Sequence, residues 1–218
     1  MKWLTVPSSG SIAGETASRN RYGQYCRTRA IPVNPNSTAQ GVVRARLALN
    51  SSVWRTLTGA QRAGWSDLGL MMQRTDSLGQ TINLTGQQAY CSVNNERLAA
   101  GDAVLADAPA LSTPGALSTA TITLTTASFS IAYTVTPLAA NTKLFIFVSP
   151  QRSAGRGFES DYRLLAVTAA AAASPHNALA AYTAKFGVPV LGNRIFLCLQ
   201  TYFNGFLSGP LYTSAVVA

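Results

Sequence analysis

The period of the hydrophobic pattern changes once along this chain, and that change limits what the chain can fold into. Between residues 38 and 101, apolar residues recur every three or four positions, as Val43, Leu47 and Trp54 show, which predicts amphipathic helices. Between residues 116 and 218, apolar and polar residues alternate in short runs, which predicts strands. A run of helices followed by a run of strands predicts an α+β fold.

Two of the three predicted helices begin with the same short motif. Thr58 is followed three residues later by Gln61, and Thr85 is followed by Gln88. In such a capping box, the hydroxyl accepts a hydrogen bond from a backbone amide and the glutamine reaches back to the cap. Gly101 is placed to end the third helix. The first helix is expected to start at residue 37 or 38.

The strand-forming part of the chain resembles a small β-sandwich. Six or seven short strands, most of them alternating and one, residues 143–148, nearly all apolar, are predicted at a spacing that is compatible with a Greek key, which indicates a sandwich of the immunoglobulin or fibronectin type III architecture. Residues 178–185 are expected to form a short helix between two strands. The predicted strands cover residues 121–125, 128–135, 143–148, 162–168, 194–202 and 211–217.

Composition shifts divide the chain into four parts. Residues 1–37 are rich in glycine, proline and polar residues and have no helical stripe, so they are predicted to be an extended basic arm, with Gly23 turning a small hairpin. Residues 38–101 are predicted to form a helical anchor domain, and residues 116–218 the β-sandwich domain. Residues 102–115, rich in alanine and proline, are predicted to be the linker between them.

Positive charge is concentrated at the beginning of the chain. The first 66 residues contain nine basic side chains and a single acid, Glu15, and so carry +8 of the total net charge of +9. Such a segment indicates contact with a negatively charged partner, although a solvated basic face has the same composition. Arg44, Arg46, Arg55 and Arg62 fall on the predicted helices, but no recognition-helix pattern accompanies them, which disfavours sequence-specific DNA binding.

The candidate binding residues lie within the arm. Four arginines and two tyrosines in this segment could follow a phosphate backbone with base stacking. They could equally bind carboxylates and pockets of a neighbouring subunit, and this alternative is favoured because an arm with few apolar residues needs a partner surface to become ordered. The predicted partner-binding residues are Arg19, Arg21, Tyr22, Tyr25, Arg27 and Arg29.

Residues suited to catalysis or to metal binding are scarce. The one histidine, His176, falls in a predicted loop and has no partner residues at a catalytic or metal-ligand spacing. Glu159 and Asp161 lie among arginines and are expected to form an exposed ion-pair cluster. We therefore expect no enzyme activity, no cofactor and no metal.

Features that would direct the chain to an oxidising compartment or to a membrane are also lacking. The three cysteines are widely spaced and are expected to be reduced. The first residues are too polar for a signal peptide, and no apolar run reaches the ~18 residues of a transmembrane helix. We expect a protein that is made in the cytoplasm and has no membrane partner.

A string of motifs over residues 10–100 resembles a group of structural proteins from tailed bacteriophages and prophages. The resemblance implies a virion component made in the host cytoplasm and offers no catalytic residues. It is carried by Gly10 to Gly14, Ser18 to Tyr25, Arg27 to Arg29, Pro32 to Asn36, Gln40, Trp54 to Thr58, Gln61, Arg62 and Trp65.

Together these features predict a virion structural protein, most simply a capsid-associated cement or decoration protein that also forms homo-oligomers. Its expected partners are major capsid, neck or tail subunits. A neck or tail component and a basic nucleic-acid-binding module are the alternatives. A saccharide-binding module that uses Tyr202, Phe203 and Phe206 is a weaker interpretation, because buried positions suit these aromatic residues better.

Overall fold

The computed structural model describes residues 9–75, 79–134, 136 and 138–218, and the chain has two compact units. The first unit is Met1–Val42 and the second is Val43–Ala218. The structure confirms the α+β class. Its division into units differs from the four predicted parts, because residues 43–101 of the predicted helical domain lie in the same unit as the predicted sandwich domain, and residues 38–42 lie in the first unit.

The first unit contains a three-stranded antiparallel sheet. Its strands are β1 (Gly10–Ile12), β2 (Glu15–Asn20) and β3 (Gly23–Thr28), in the order β1-β2-β3. The predicted hairpin at Gly23 is present, and the positive φ of 114° at this residue explains the glycine. A second turn at Ala13 and Gly14 adds β1, so residues 10–28 fold back twice and do not form a single extended arm.

Three helices follow, as the sequence predicts. They are α1 (Thr38–Thr56), α2 (Gly59–Met71) and α3 (Gly86–Ala99). Both predicted capping boxes are formed. The hydroxyls of Thr58 and Thr85 accept from the backbone amides of Gln61 and Gln88, and the side chains of these glutamines accept from the backbone amides of the two threonines. An antiparallel pair of short strands, β4 (Gln73–Thr75) and β5 (Thr81–Asn83), separates α2 from α3.

Trp65 is at the centre of the helical core. It is fully buried and meets the ring of Tyr90 edge-on at 5.1 Å. Trp54 at the end of α1 joins this core from the side, at 5.3 Å from Tyr90. Val43 and Leu47 remain more than half exposed, although the sequence places them on the inner face of α1. The core therefore covers only the last two turns of that helix.

The remaining residues form two antiparallel sheets and a helix. The larger sheet has the order β10-β8-β12-β13, with β9 and β14 also paired to β12, and the smaller has the order β11-β7-β6. The helix α4 is Leu179–Phe186. The strands are β6 (Thr119–Leu124), β7 (Phe129–Thr134), β8 (Lys143–Val148), β9 (Arg152–Ser153), β10 (Arg163–Val167), β11 (His176–Asn177), β12 (Asn193–Phe203), β13 (Phe206–Leu207) and β14 (Leu211–Val216).

The two sheets share one hydrophobic core. Alternate residues of β12, namely Ile195, Leu197 and Leu199, enter it from the larger sheet, and Phe129 and Ile131 of β7 enter it from the smaller one. All six predicted strands and the predicted helix are present. Residue 135, at the end of the second predicted strand, lies outside the described residues.

The predicted linker, residues 102–115, is bonded to both halves of the second unit. The side chain of Asn94 exchanges two hydrogen bonds with the backbone of Leu105, at 2.8 and 3.2 Å. Asp102 accepts from Lys143 at 2.6 Å and from Tyr202 at 2.7 Å. Side chains of the helices and of the larger sheet thus bind residues 102–115, which the composition predicts to be a linker. These contacts join the helices and the sheets of residues 43–218.

Candidate functional site

The β-sheet of the first unit sorts the six predicted binding residues onto different surfaces. In the register of β2 and β3, Tyr25 lies opposite Ser18, and Arg27 lies opposite Thr16. Directly opposed residues project from the same face of a sheet, and so do residues two apart on a strand. Tyr25 and Arg27 therefore share one face. Arg19, by the same alternation, lies on the other.

The remaining three residues lie at the turn and beyond the last strand. The amide of Tyr22 donates to Asn20 Oδ1 at 2.9 Å, which fixes the turn. The Arg21 guanidinium lies 5.1 Å from the centre of the Tyr22 ring, and that ring is 72% exposed. Arg29 follows β3, and its amide donates to Gly14 O at 2.8 Å. The structure therefore brings together two pairs, Tyr25 with Arg27 and Arg21 with Tyr22.

This sheet has no hydrophobic core of its own. Among described residues 9–42 none is buried, and Ile12 is 84% exposed. Four arginines and one glutamate lie in this range, and none of the four forms an ion pair with a described residue. Three short strands need a covered hydrophobic face to be stable in water, and the described residues 9–42 contain no such covered face.

A second organised site, which the sequence only partly predicts, surrounds Glu159. The predicted ion pairs are present, because Glu159 pairs with Arg152 and Arg156. The predicted exposure is wrong for Glu159, which is only 2% exposed. Its carboxylate also accepts the amides of Ser160 at 2.8 Å and Asp161 at 3.0 Å. The spacing of these residues in the sequence does not show that the chain turns so that the amides of Ser160 and Asp161 both donate to the Glu159 carboxylate.

The hydrogen bonds at Glu159 set a pH dependence. The amide of Asp161 is the largest cause, and with Arg152 and the amide of Ser160 it outweighs burial and lowers the Glu159 pKa from 4.5 to about 2. A depressed carboxyl pKa stabilises the fold above pH 4.5, and this contribution is lost as the pH falls towards 2. Wild type should therefore have a larger free energy of unfolding than Glu159→Gln above pH 4.5. The difference between these two free energies should become smaller as the pH falls towards 2.

Urea titrations at several pH values measure this difference. Ser160→Ala, which keeps the carboxylate and both amides, serves as the control, and its difference from wild type should not vary with pH. A Glu159→Gln difference that stays constant from neutral pH to pH 2 would contradict the assignment of the depressed pKa to this carboxyl.

The other residues considered for chemistry are placed as follows. His176 lies in β11 opposite Ile131 and not in a loop, and burial lowers its pKa. No group of three or more metal-ligating side chains occurs in the part of the chain that the structure describes. Tyr202 and Phe206 are 1% and 7% exposed, so the interpretation of these two as exposed saccharide-stacking residues is wrong.

No helix among the described residues combines the length and the apolar character that crossing a bilayer requires.

Comparison of the chain with protein-family models, with curated proteins and with solved structures gives no match in any of the three. Function is therefore inferred from the residues and the geometry described above.

Proposed function

We propose that this protein is a structural component of a tailed-phage or prophage virion and binds neighbouring subunits through the sheet formed by β1, β2 and β3. The observation that carries the proposal is that this sheet has no buried residue among described residues 9–42. A partner surface supplies the contacts that the chain itself does not. Covering a side chain such as Ile12 contributes about 1.5 to 3 kcal/mol.

The face that bears Tyr25 and Arg27 is the proposed binding face. A tyrosine ring gives a large contact area with a polar tip, and an arginine binds a carboxylate through two parallel hydrogen bonds. Arg21 and Tyr22 extend this chemistry around the turn. β3 is the last strand in the order β1-β2-β3 of the described residues, and a strand of a neighbouring subunit could extend the sheet beside it.

On the particle, we place the protein on the capsid as a cement or decoration protein, with a neck or tail position as the second candidate. Repeated weak contacts on a lattice gain strength from multivalency, which suits a small basic sheet. We also propose that the two sheets between residues 116 and 218 form a sandwich of the immunoglobulin or fibronectin type III type. Their common core and antiparallel pairing support this assignment.

The direct experiment is a particle assay. Phage particles from cells that carry this gene are purified on a density gradient and probed with an antibody against the full-length chain. The chain is expected to remain with intact particles at a fixed copy number. Its absence from purified particles would overturn the proposal.

A matched pair of double variants tests the binding face. Tyr25→Ala with Arg27→Ala should reduce the chain retained on particles at least tenfold, because a ring contact and a charge-assisted pair are both lost. Arg19→Ala with Gln24→Ala removes the opposed pair on the other face and should retain wild-type attachment. Equal retention of both variants would contradict the assigned face.

The same variants separate attachment from nucleic-acid binding. A nucleic-acid-binding module would hold duplex DNA with an affinity that falls steeply with salt, and each lost arginine would reduce that slope whichever face it occupied. Strong, salt-dependent DNA binding together with no particle retention would favour that alternative.

A further inference from the structure

A cleft of about 540 Å³ lies on the larger sheet of the second unit. Its volume is within the range of small-molecule binding sites. Phe196 of β12 lies opposite Ser214 of β14, and Cys198 lies opposite Tyr212, so these residues share the face that points away from the sandwich core. The cleft is lined by Gly157, Phe158, Glu159, Ser160, Tyr162, Phe196, Tyr212, Thr213 and Ser214.

Aromatic rings dominate the cleft surface. Phe158 is 75% exposed and Tyr212 is 61% exposed, which is unusual for rings of this size in one place. Tyr162 lies 5.6 Å from Tyr212, with the two ring planes tilted by 45°. Phe196, only 5% exposed, lies beneath them. The cleft thus offers several ring faces at different angles.

The loop that carries Phe158 is held in place before any ligand arrives. Arg156 Nε donates to the carbonyl of Phe158 at 2.7 Å, and the next residue, Glu159, is the buried carboxylate with ion pairs to Arg152 and Arg156. Ordering a loop on binding costs free energy, and a loop that is already fixed avoids this cost. These contacts explain why a large apolar ring can stay exposed at a fixed position.

The charges beside the cleft are already paired. Arg163 binds Asp161 at 2.9 Å, and Arg152 and Arg156 bind Glu159, whose two oxygens accept four hydrogen bonds. No arginine lines the cleft among its described residues. The polar groups that remain are the hydroxyls of serine, threonine and tyrosine. This chemistry suits an uncharged ligand that has both hydroxyl groups and flat apolar faces.

The position on a sheet face disfavours an added peptide strand. Phe196 and Ser214 are directly opposed in the β12–β14 ladder, and the amide and carbonyl of Phe196 are both bonded to Ser149. Strand addition needs an unpaired edge, whereas a ligand on this face meets side chains.

From these observations we infer that the cleft binds a neutral oligosaccharide. The C–H faces of pyranose rings stack on Tyr212 and Phe158, and the sugar hydroxyls exchange hydrogen bonds with Ser160 and Ser214. This binding site is separate from the sheet of the first unit, and the inference does not rest on the proposed virion role.

The test uses the full chain and three neutral probes, cellohexaose, chitohexaose and maltohexaose. Isothermal titration and saturation-transfer NMR should detect at least one of them with a Kd of about 0.1 to 1 mM and with little dependence on salt. Tyr212→Ala should weaken that binding about tenfold, and Phe158→Ala, at an even more exposed position, should weaken it similarly. Thermal unfolding shows that each variant remains folded.

Leu191→Ala is the control, because it removes an exposed apolar side chain of the same unit from outside the cleft. It should bind the probe as wild type does. The inference is overturned if none of the three probes binds, or if Leu191→Ala weakens binding as much as Tyr212→Ala. Binding that disappears in moderate salt would also overturn it, since it would assign recognition to the arginines.

Discussion

Replacing Trp65 by alanine is expected to lower the free energy of unfolding by about 3 to 5 kcal/mol. The side chain has no exposed surface and packs edge-on against Tyr90. Its Nε1 also donates to the carbonyl of Ala106 at 2.8 Å. The substitution therefore creates a cavity and removes one of the hydrogen bonds that join residues 102–115 to the helices. Urea unfolding monitored by circular dichroism measures the change.

Two further variants separate these effects of Trp65. Trp65→Phe keeps a ring against Tyr90 but loses the hydrogen bond to Ala106, so it should cost less than the alanine variant, with about 1 kcal/mol due to that bond. Leu70→Ala on the same helix removes a side chain that is 61% exposed and should change stability by less than about 0.5 kcal/mol. If Trp65→Ala cost no more than Leu70→Ala, the placement of Trp65 at the centre of the core would be wrong.

The second large effect is expected for Gly205→Ala, at about 2 to 5 kcal/mol of destabilisation. Gly205 has a φ of 95°, and an added Cβ would lie 2.5 Å from Val93 Cγ1 and 3.0 Å from the Val93 carbonyl oxygen. The left-handed backbone costs an alanine about 1 to 2 kcal/mol. Overpacking a core contact costs about 1 to 3 kcal/mol more. The hairpin between β12 and β13 must then move away from α3.

Gly209→Ala provides the matched control, because an added Cβ at Gly209 meets no atom within 4 Å and the residue has no positive φ. Parallel denaturation of the two variants should show a clear loss for Gly205→Ala and little change for Gly209→Ala. Similar stabilities would mean that the hairpin does not pack closely on α3. That result would also remove one of the contacts that join the helices to the sheets within residues 43–218.

The turn at Gly205 also has a local signal in the sequence, the Asn-Gly pair of residues 204 and 205. Asn204 and Gly205 both have positive φ, as an Asn-Gly hairpin turn requires. The pair is visible in the sequence and predicts the turn between β12 and β13. The contact between this turn and Arg97 of α3, through Asn204, joins residues that are more than 100 positions apart. Local turn chemistry cannot specify such a contact.

Part of the candidate site was also predictable. Residues two apart on a strand project to the same side, which predicts a common side for Tyr25 and Arg27, and the register of β2 and β3 places them on one face. The same rule, applied with the hairpin turn, puts Arg19 on the other face. The aromatic cleft was not predictable, because Phe158, Tyr162 and Tyr212 meet only through a buried carboxylate and the pairing of β12 with β14.

The sequence alone determined the local features of this protein: the three helices, the capping boxes of two of them, six strands, the Gly23 turn and the positive charge of the first 66 residues. These depend on interactions within a few residues, such as the hydrogen bond of Thr58 to Gln61, or on a period along the chain. Only the tertiary structure decided that residues 102–115 are fixed and that Glu159 is buried. Both result from contacts between segments that are brought together by packing, and no local pattern encodes them.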